Sequence, residues 1–266
     1  RDEDGSCFRA YRFVDNSKAY DTVDSAEVFG KSGKAFGRFQ KYLSDFPAES
    51  LNEIIKNFHN TIWRYENEFI PAVQADKVDR VVNCGEEIKF VMHRREDCKK
   101  LVELIDKGEL PLRVTHNDTK LNNVLFDSDS DDAICVIDLD TVMPGLALYD
   151  FGDSILFGAN SCAEDDDNYD KIEIMLDYFE AYAKGFLSEA GEALNQCEID
   201  NLAFSAKLMT FECGMRFLTD YLNGDTYFKT AYPEHNLVRA KNQFALVADM
   251  EKKMDKMEQI IKDITE

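Results

Sequence analysis

The sequence has little positive charge. Its 266 residues contain 31 Lys and Arg against 52 Asp and Glu, which gives a formal net charge of −21 at pH 7. A surface of that sign repels phosphate backbones and anionic lipid headgroups, so nucleic acid and membrane surfaces are poor candidate partners. The chain also lacks any apolar run near the roughly 18 residues that a membrane-spanning helix needs.

Paired cysteine motifs are missing as well. The seven cysteines are an odd number and form no C-x-x-C pair. This usage is typical of reduced thiols in a cytoplasmic protein and argues against a disulfide framework or a zinc site. A hydrophobic fraction of 44% and a charged fraction of 31% indicate a folded globular chain of one large domain or two modest ones.

Apolar periodicity predicts a mostly helical α+β fold. Alternating apolar and polar residues over 7–14 predict a strand. Two short apolar runs around an acidic tract predict a hairpin at 123–137. Apolar residues at helical spacing predict helices over 28–43 (weakened by three glycines), 50–69, 96–107, several stretches after 170, and 237–264.

One polar loop carries residues suited to phosphoryl transfer. It follows a short apolar strand and contains His116, Asp118, Lys120 and Asn123, and Asp138 follows the second strand of the hairpin. The transition state of this reaction is loose and anionic, so a protein must orient the attacking hydroxyl and neutralise charge. A carboxylate can accept the hydroxyl proton, and amide and carboxylate oxygens suit Mg²⁺.

With this loop, the sequence resembles the aminoglycoside phosphotransferase and choline kinase-like superfamily, which has the protein-kinase fold. Within it, the chain most resembles bacterial N-acetylhexosamine 1-kinases. The resemblance covers most of the chain and is carried by residues 116–121, 137–145, 149–153, 214–222, 224–229 and 235–240.

The resemblance implies a role for each residue of the loop. Asp118 corresponds to the catalytic base, and Asn123 and Asp138 correspond to magnesium ligands. His116 corresponds to the histidine that organises the loop, and Lys120 to the lysine two positions after the base. The alternative interpretation of the cluster is a solvated polar loop before a hairpin.

Two further acidic residues are assigned with the same family in mind. Asp140 is a candidate for assisting a second metal ion. Residues 150–152 spell the D-F-G tripeptide of protein kinases, but Asp138 directly follows the second apolar strand, so the metal is assigned to Asp138. Asp150 is expected to accept hydrogen bonds from the backbone of the catalytic loop, or alternatively to cap a helix.

A candidate acceptor pocket is predicted from the C-terminal half. Arg216 and Asp220 are one helical turn apart and share a face, which favours either a sugar-binding pair or a surface ion pair. Charged side chains commonly hold sugar hydroxyls in bidentate fashion. Tyr227 and His235 are expected to border the same pocket, and the chain's two other histidines are expected to be structural.

The domain prediction follows from the kinase resemblance. Residues 1–23 are expected to be the remnant of the small lobe, its last strand and hinge, and 24–266 the large lobe. Within the large lobe lie the catalytic loop 114–123, the metal-binding segment 134–141 and a helical substrate subdomain, 170–266. Since no Gly-rich strand turn and no V-A-I-K-like strand occur before His116, most of the small lobe is expected to be absent from this chain.

The sequence therefore predicts a cytoplasmic kinase of carbohydrate metabolism that uses ATP and Mg²⁺. It would phosphorylate the anomeric hydroxyl of an N-acetylhexosamine, and the chain alone is expected to have little activity. The alternatives are another hydroxyl acceptor (an aminoglycoside, a choline-like alcohol or homoserine) and a non-catalytic binding module. A heptad-like seam in the last helix leaves open a homodimer or packing against the same chain.

Overall fold

A computed structural model describes residues 3–5 and 8–266. The helices are α1 (Ala26–Tyr42), α2 (Thr61–Arg64), α3 (Ile70–Ala75), α4 (Gly85–Met92), α5 (Arg95–Asp106), α6 (Ala147–Gly158), α7 (Leu176–Ala190), α8 (Gln196–Asp200), α9 (Leu202–Asn223) and α10 (His235–Thr265). A π-helical turn, Tyr65–Phe69, joins α2 to α3. The fold is mostly helical, as the sequence predicts.

The strands form two small antiparallel sheets. They are β1 (Ser17–Lys18), β2 (Arg113–Thr115), β3 (Val124–Asp127), β4 (Ala133–Val136) and β5 (Met143–Gly145). One sheet has the order β1-β3-β4 and the other pairs β2 with β5. In the predicted hairpin Val124 lies opposite Val136, and the Asp127 carboxylate accepts hydrogen bonds from the backbone amides of Asp129 and Ser130 at the turn. The hairpin carries the end of the polar loop and the start of the Asp138 segment side by side.

Two secondary-structure predictions are wrong. Residues 8–14 contain no strand, and Cys7 lies outside the described residues. Phe8, Tyr11 and Phe13 are all exposed, so the alternation has no core to face. The helix predicted over 50–69 begins only at Thr61, because the Asn60 side chain accepts a hydrogen bond from the Trp63 amide and caps the helix there.

The glycines that weaken the prediction of α1 form its contact with α7. A Cβ on Gly33 would lie 2.5 Å from the carbonyl oxygen of Tyr182, and a Cβ on Gly37 would collide with the carbonyl of Phe186. On α7 itself, a Cβ on Gly185 would collide with the carbonyl of Gly30. The two helix backbones therefore touch, which only glycine permits at these positions.

The C-terminal helix packs inward. Of the residues in its apolar seam, Val247, Met250, Met257 and Ile261 are buried in the core of this chain, where α10 packs against α9. The seam is therefore occupied largely within the chain, and a homodimer through this helix stays a prediction. Among the described residues, none of the helices is long and apolar enough to cross a membrane.

Candidate active site

Asp118 lies in the loop between β2 and β3 with both carboxylate oxygens engaged. Asn123 Nδ2 donates to Asp118 Oδ2 at 3.0 Å and to the Asp118 carbonyl oxygen at 2.8 Å. Lys120 Nζ lies 3.2 Å from Oδ1. The side chain is still 29% exposed. Asp118 is therefore held in one orientation while remaining open to a ligand.

His116 ties this loop to the segment that carries Asp138. The backbone amide of Asp118 donates to Nδ1 of His116 at 3.3 Å, so the ring proton sits on Nε2. Nε2 then donates to the carbonyl oxygen of Ile137 at 2.9 Å. The ring is fully buried between the edges of Phe36 and Phe39. His116 thus organises the loop from inside the core and does not face the solvent.

Asp150 holds the loop from the opposite side. Its carboxylate accepts hydrogen bonds from the backbone amides of His116 and Asn117, at 2.9 and 2.8 Å, and from Gln40 Nε2 at 2.7 Å. The group is completely buried, and burial raises the pKa of Asp150 although these hydrogen bonds favour its charged form. Because α6 is preceded by Leu146 as its N-cap, Asp150 is not a helix cap.

Asn117 shows why this support is needed. Its φ of 64° places it in the left-handed region that non-glycine residues seldom adopt. The side-chain amide donates to the carbonyl of Thr141 at 2.9 Å, and the backbone amide is held by Asp150. The strained turn directly before Asp118 is therefore fixed at both its backbone and its side chain.

Asp153 is a second supporting carboxylate that the sequence analysis missed. Its Oδ2 accepts a hydrogen bond from the backbone amide of Thr119 at 2.7 Å. Burial, opposed by the nearby His59 and reinforced by Asp118, raises the pKa of Asp153 to about 6. Its role could have been predicted from its position three residues after Asp150, because this spacing puts both side chains on one face of α6.

The proposed metal ligands lie at the end of the hairpin. The backbone amide of Ile137 donates a hydrogen bond to the carbonyl oxygen of Asn123 at 2.9 Å. Asp138 is therefore the first residue after this backbone pair. Asp138 is exposed and has a φ of 60°. The Asp138 carboxylate and the amide oxygen of Asn123 would supply hard oxygen ligands of the kind that Mg²⁺ prefers. No cluster of three or more His, Cys, Asp or Glu side chains suited to a metal occurs within residues 3–5 and 8–266.

Asp140 has a different neighbour. Its exposed carboxylate forms an ion pair with Arg9. This contact engages the group on the surface, and its assistance to a second metal ion stays a prediction.

Asp118 opens into a cavity of about 490 Å³. The cavity is also lined by Lys120 from the same loop, by Arg216 from α9 and by Tyr227 from the segment after α9. The Arg216 guanidinium lies 5.2 Å from the ring centre of Phe58, 5.8 Å from that of Tyr227 and 5.5 Å from that of Phe228. Arg216 and Tyr227 therefore share a pocket with Asp118.

Asp220 does not hold a ligand in this geometry. Its carboxylate accepts hydrogen bonds from the backbone amides of Thr226, Tyr227 and Phe228, at 2.8 to 2.9 Å, and from the Asn236 side chain at 2.9 Å. The buried group is thus fully occupied. The expectation that Asp220 grips a substrate is corrected: it fixes the segment that presents Tyr227.

His235 is also placed away from the cavity lining. The backbone amide of Ala231 donates to its Nδ1 at 3.0 Å, and the ring stacks on Tyr232 with centroids 4.7 Å apart. Its Nε2 lies 3.4 Å from Asp165. The buried ring therefore organises the start of α10, and His235 does not line the cavity that contains Asp118.

Comparison with known families identifies the family of the chain. The model of the APH phosphotransferase enzyme family matches residues 1–185, well over half of the 266 residues. The chain belongs to this phosphotransferase family. The resemblance to the superfamily is thereby confirmed, whereas kinship with the N-acetylhexosamine branch is not. The expected loss of most of the small lobe is not confirmed.

Solved kinase structures share the fold of this phosphotransferase. An ethanolamine kinase from Plasmodium vivax superimposes with a TM-score of 0.54 and 17% identity over 87% of this chain and 64% of its own. A microcompartment-associated aminopropanol kinase superimposes with a TM-score of 0.55 and 15% identity over 92% of this chain and 68% of its own. A choline kinase from Cryptosporidium parvum Iowa II superimposes with a TM-score of 0.55 and 14% identity over 94% of this chain and 72% of its own. The chain thus spans about two thirds of their length, and at these identities the likeness shows the fold alone.

Proposed function

We propose that this phosphotransferase transfers the γ-phosphoryl group of ATP, with Mg²⁺, to the anomeric hydroxyl of an N-acetylhexosamine. The observation that carries the proposal is the placement of Asp118. Its carboxylate is fixed by Asn123 and Lys120 and lines the same cavity as Arg216. A base held beside a ligand-sized cavity suits a small hydroxyl acceptor.

In the proposed reaction Asp118 accepts a hydrogen bond from the acceptor hydroxyl and orients it for in-line attack. The oxygen–phosphorus bond forms as the bond to the leaving ADP oxygen breaks, and the hydroxyl proton passes to Asp118. Asn123 and Asp138 would hold Mg²⁺, which would neutralise negative charge on the phosphates. Positioning is the larger contribution of the chain itself, because the carboxylate is already oriented before a substrate binds.

Lys120 supplies positive charge beside the base. Burial acts to lower the pKa of this lysine, but the nearby Asp118 carboxylate outweighs that effect and the pKa is raised. The ammonium group therefore stays charged at neutral pH. A cation next to the attacking oxygen stabilises the negative charge that develops on the transferred phosphoryl group.

The cavity favours a neutral acceptor. Four carboxylates and four cations line it, so it has no excess of either sign: Asp118, Asp153, Glu164, Glu212, Lys120, Arg216, Lys229 and Arg239. A choline-like acceptor would need an aromatic face for its ammonium group. Phe58, Tyr227 and Phe228 already have the Arg216 guanidinium against them. A second cation in that place would be repelled, whereas a sugar can hydrogen-bond to the guanidinium.

The experiment is a phosphoryl-transfer assay with ATP and Mg²⁺ on an acceptor panel. N-acetylglucosamine, N-acetylgalactosamine, choline and ethanolamine are compared in the wild type, Asp118→Asn and Asp132→Asn. We expect transfer to an N-acetylhexosamine that falls by about 10²–10⁴-fold in Asp118→Asn. Asp132 is an exposed carboxylate of the hairpin turn and serves as the control. Preferred transfer to choline or ethanolamine would replace the proposed acceptor, and equal rates in both variants would refute the assigned base.

The cytoplasmic location remains a prediction. It rests on the cysteines, of which the six within the described residues are all free.

A further inference from the structure

His59 has one nitrogen bound and one free, and it sits in the wall of the cavity that contains Asp118. It precedes α2, and its side chain is only 4% exposed. Its Nδ1 lies 2.8 Å from Oε1 of Glu212 on α9. The rings of Phe58 and Tyr149 lie against it, with centroids 4.3 and 5.2 Å away. The imidazole is therefore held in one orientation.

Glu212 fixes which nitrogen carries the proton. Burial alone would raise its pKa, but the His59 hydrogen bond and the nearby Arg64 outweigh burial and the pKa is lowered. The group is thus an ionised carboxylate that can only accept, so Nδ1 of His59 is the donor. Thr61 Oγ1 donates to the other carboxylate oxygen at 2.5 Å. Glu212 is a positioning residue for the ring.

The other ring nitrogen has no partner. Nε2 of His59 is buried and makes no hydrogen bond to any described residue. Buried polar atoms are almost always paired, and an unpaired one destabilises a fold. His59 lines the cavity together with Asp118 and Arg216. An unpaired nitrogen in that wall is the kind of group that a ligand completes.

The geometry points to His59 as an acceptor-positioning residue, with Nε2 forming a hydrogen bond to a second polar group of a neutral acceptor. That group is a hydroxyl or an amide N–H, which donates to the unprotonated Nε2 and is distinct from the hydroxyl that Asp118 receives. The inference rests on the proposed function, since it takes the cavity to be the acceptor site. Two anchoring points, at Asp118 and His59, would fix the rotation of the acceptor as well as its position.

A purely structural histidine predicts different behaviour. In that case the bond between Nδ1 and Glu212 would be the whole purpose of the side chain, and any residue that keeps this bond would replace it. Two substitutions separate the roles. His59→Asn places an amide nitrogen near the position of Nδ1 and keeps the Glu212 bond. His59→Gln places its amide near the position of Nε2 and keeps a polar group toward the cavity.

The experiment is calorimetric titration of the chain with N-acetylglucosamine, N-acetylgalactosamine, choline and ethanolamine, combined with thermal melting. The tightest wild-type acceptor is taken forward. For His59→Asn we expect a melting temperature near that of the wild type and an acceptor Kd that rises about tenfold, the effect of one hydrogen bond. For His59→Gln we expect a lower melting temperature but a Kd within about threefold of the wild type. The exposed His93→Asn is the control for both readouts.

The outcomes separate the two proposals. Wild-type Kd in His59→Asn, with a large loss of stability in His59→Gln, would show a structural histidine and overturn this inference while leaving the kinase proposal intact. Failure of the wild type to bind any of the four acceptors would overturn the proposed acceptor site and this inference together. As a second readout, the ¹⁵N resonance of His59 Nε2 should shift when the acceptor binds, and an unchanged resonance would contradict the contact.

Discussion

Asn123 donates a hydrogen bond from its side-chain nitrogen to Oδ2 of Asp118, 3.0 Å away. The same nitrogen reaches the Asp118 carbonyl oxygen at 2.8 Å. A single amide therefore orients the proposed base with its nitrogen, which leaves its oxygen for the proposed metal ion. The two residues are five positions apart, and the 3₁₀ turn Leu121–Asn123 lies between Asp118 and β3. The proposed base and the proposed metal ligand therefore belong to one local unit.

The first prediction concerns this amide. In Asn123→Asp the donor is replaced by a carboxylate facing Asp118, while an oxygen for Mg²⁺ is kept. Repulsion should misorient the base, so we expect kcat to fall by about 10²-fold or more, with no rise in the Mg²⁺ concentration for half-maximal activity. Asn122→Asp makes the same change of charge on an exposed neighbour. A wild-type kcat in Asn123→Asp would show that the hydrogen bond does not orient the base.

The second prediction concerns the pH dependence of stability. Since the pKa of Asp153 is raised from 3.8 to about 6 in the folded protein, the folded state binds more protons than the unfolded chain between these values. The stabilising contribution of protonated Asp153 is therefore present at low pH and is lost as pH rises through about 6. Asp153→Asn keeps an oxygen for the Thr119 amide and removes the buried charge.

We expect Asp153→Asn to be as stable as the wild type near pH 4 and more stable by about 1–3 kcal/mol above pH 6. Urea unfolding at several pH values measures this difference. Asp45→Asn changes an exposed carboxylate and should leave the pH dependence unchanged. A stability difference that does not vary with pH would mean that the pKa of Asp153 is not raised in the folded state.

The catalytic loop could be predicted from the sequence because its contacts are local or lead to neighbouring strands. His116, Asp118 and Asn123 lie within eight residues of one another, and Asp138 follows from the hairpin pairing. Asp150 was predicted to support the loop backbone, and it contacts two amides of the loop. Its partner Gln40 could not be predicted, since the contact depends on how α1 packs in three dimensions.

The acceptor side of the cavity was harder to predict for a physical reason. Arg216 and Asp220 share a helix face, and periodicity alone cannot tell a carboxylate that meets a ligand from one that binds backbone amides. The chain after α9 turns back, so that three of its amides meet Asp220. His59 reaches Glu212 across the sequence, and the sequence alone led us to expect a purely structural role for His59. Tertiary packing decides the roles of Arg216, Asp220 and His59.

The third prediction tests acceptor selection by Arg216. In Arg216→Ala the rings of Phe58, Tyr227 and Phe228 lose the guanidinium that lies against them. We expect the Kd for N-acetylglucosamine to rise by about tenfold or more and binding of choline to improve, since the rings become available to an ammonium group. Calorimetric titration with both ligands measures the two changes.

Arg216→Lys is the matched control for this exchange. It keeps a cation near the rings but loses the planar fork that bonds two hydroxyls at once. We expect it to bind N-acetylglucosamine more weakly than the wild type and still to exclude choline. If Arg216→Ala and Arg216→Lys bound choline equally, the charge of Arg216 would not be the reason for selecting a neutral acceptor.

The last prediction links the packing of α1 to the active site. In Gly33→Ala the new Cβ would lie 2.5 Å from the carbonyl oxygen of Tyr182. Backbone cannot move as easily as the end of a side chain, so α1 and α7 must separate. Overpacking of this kind should lower the free energy of unfolding by about 2–3 kcal/mol and the melting temperature by about 5–10 °C. In Gly85→Ala the new Cβ would meet nothing within 4 Å, and this control should melt at or slightly above the wild-type temperature.

Gly33→Ala should also affect catalysis, because α1 contacts the catalytic loop. Phe36 and Phe39 pack on the ring of His116, and Gln40 donates to the Asp150 carboxylate at 2.7 Å. A displaced α1 would loosen both contacts and with them the backbone that carries Asp118. We therefore expect the kcat of Gly33→Ala for the accepted substrate to be lower than that of the wild type, even when it is measured well below the melting temperature of the variant. The kcat of Gly85→Ala should be unchanged. A kcat equal to the wild type in Gly33→Ala, alongside the loss of stability, would show that the loop holds its geometry without α1.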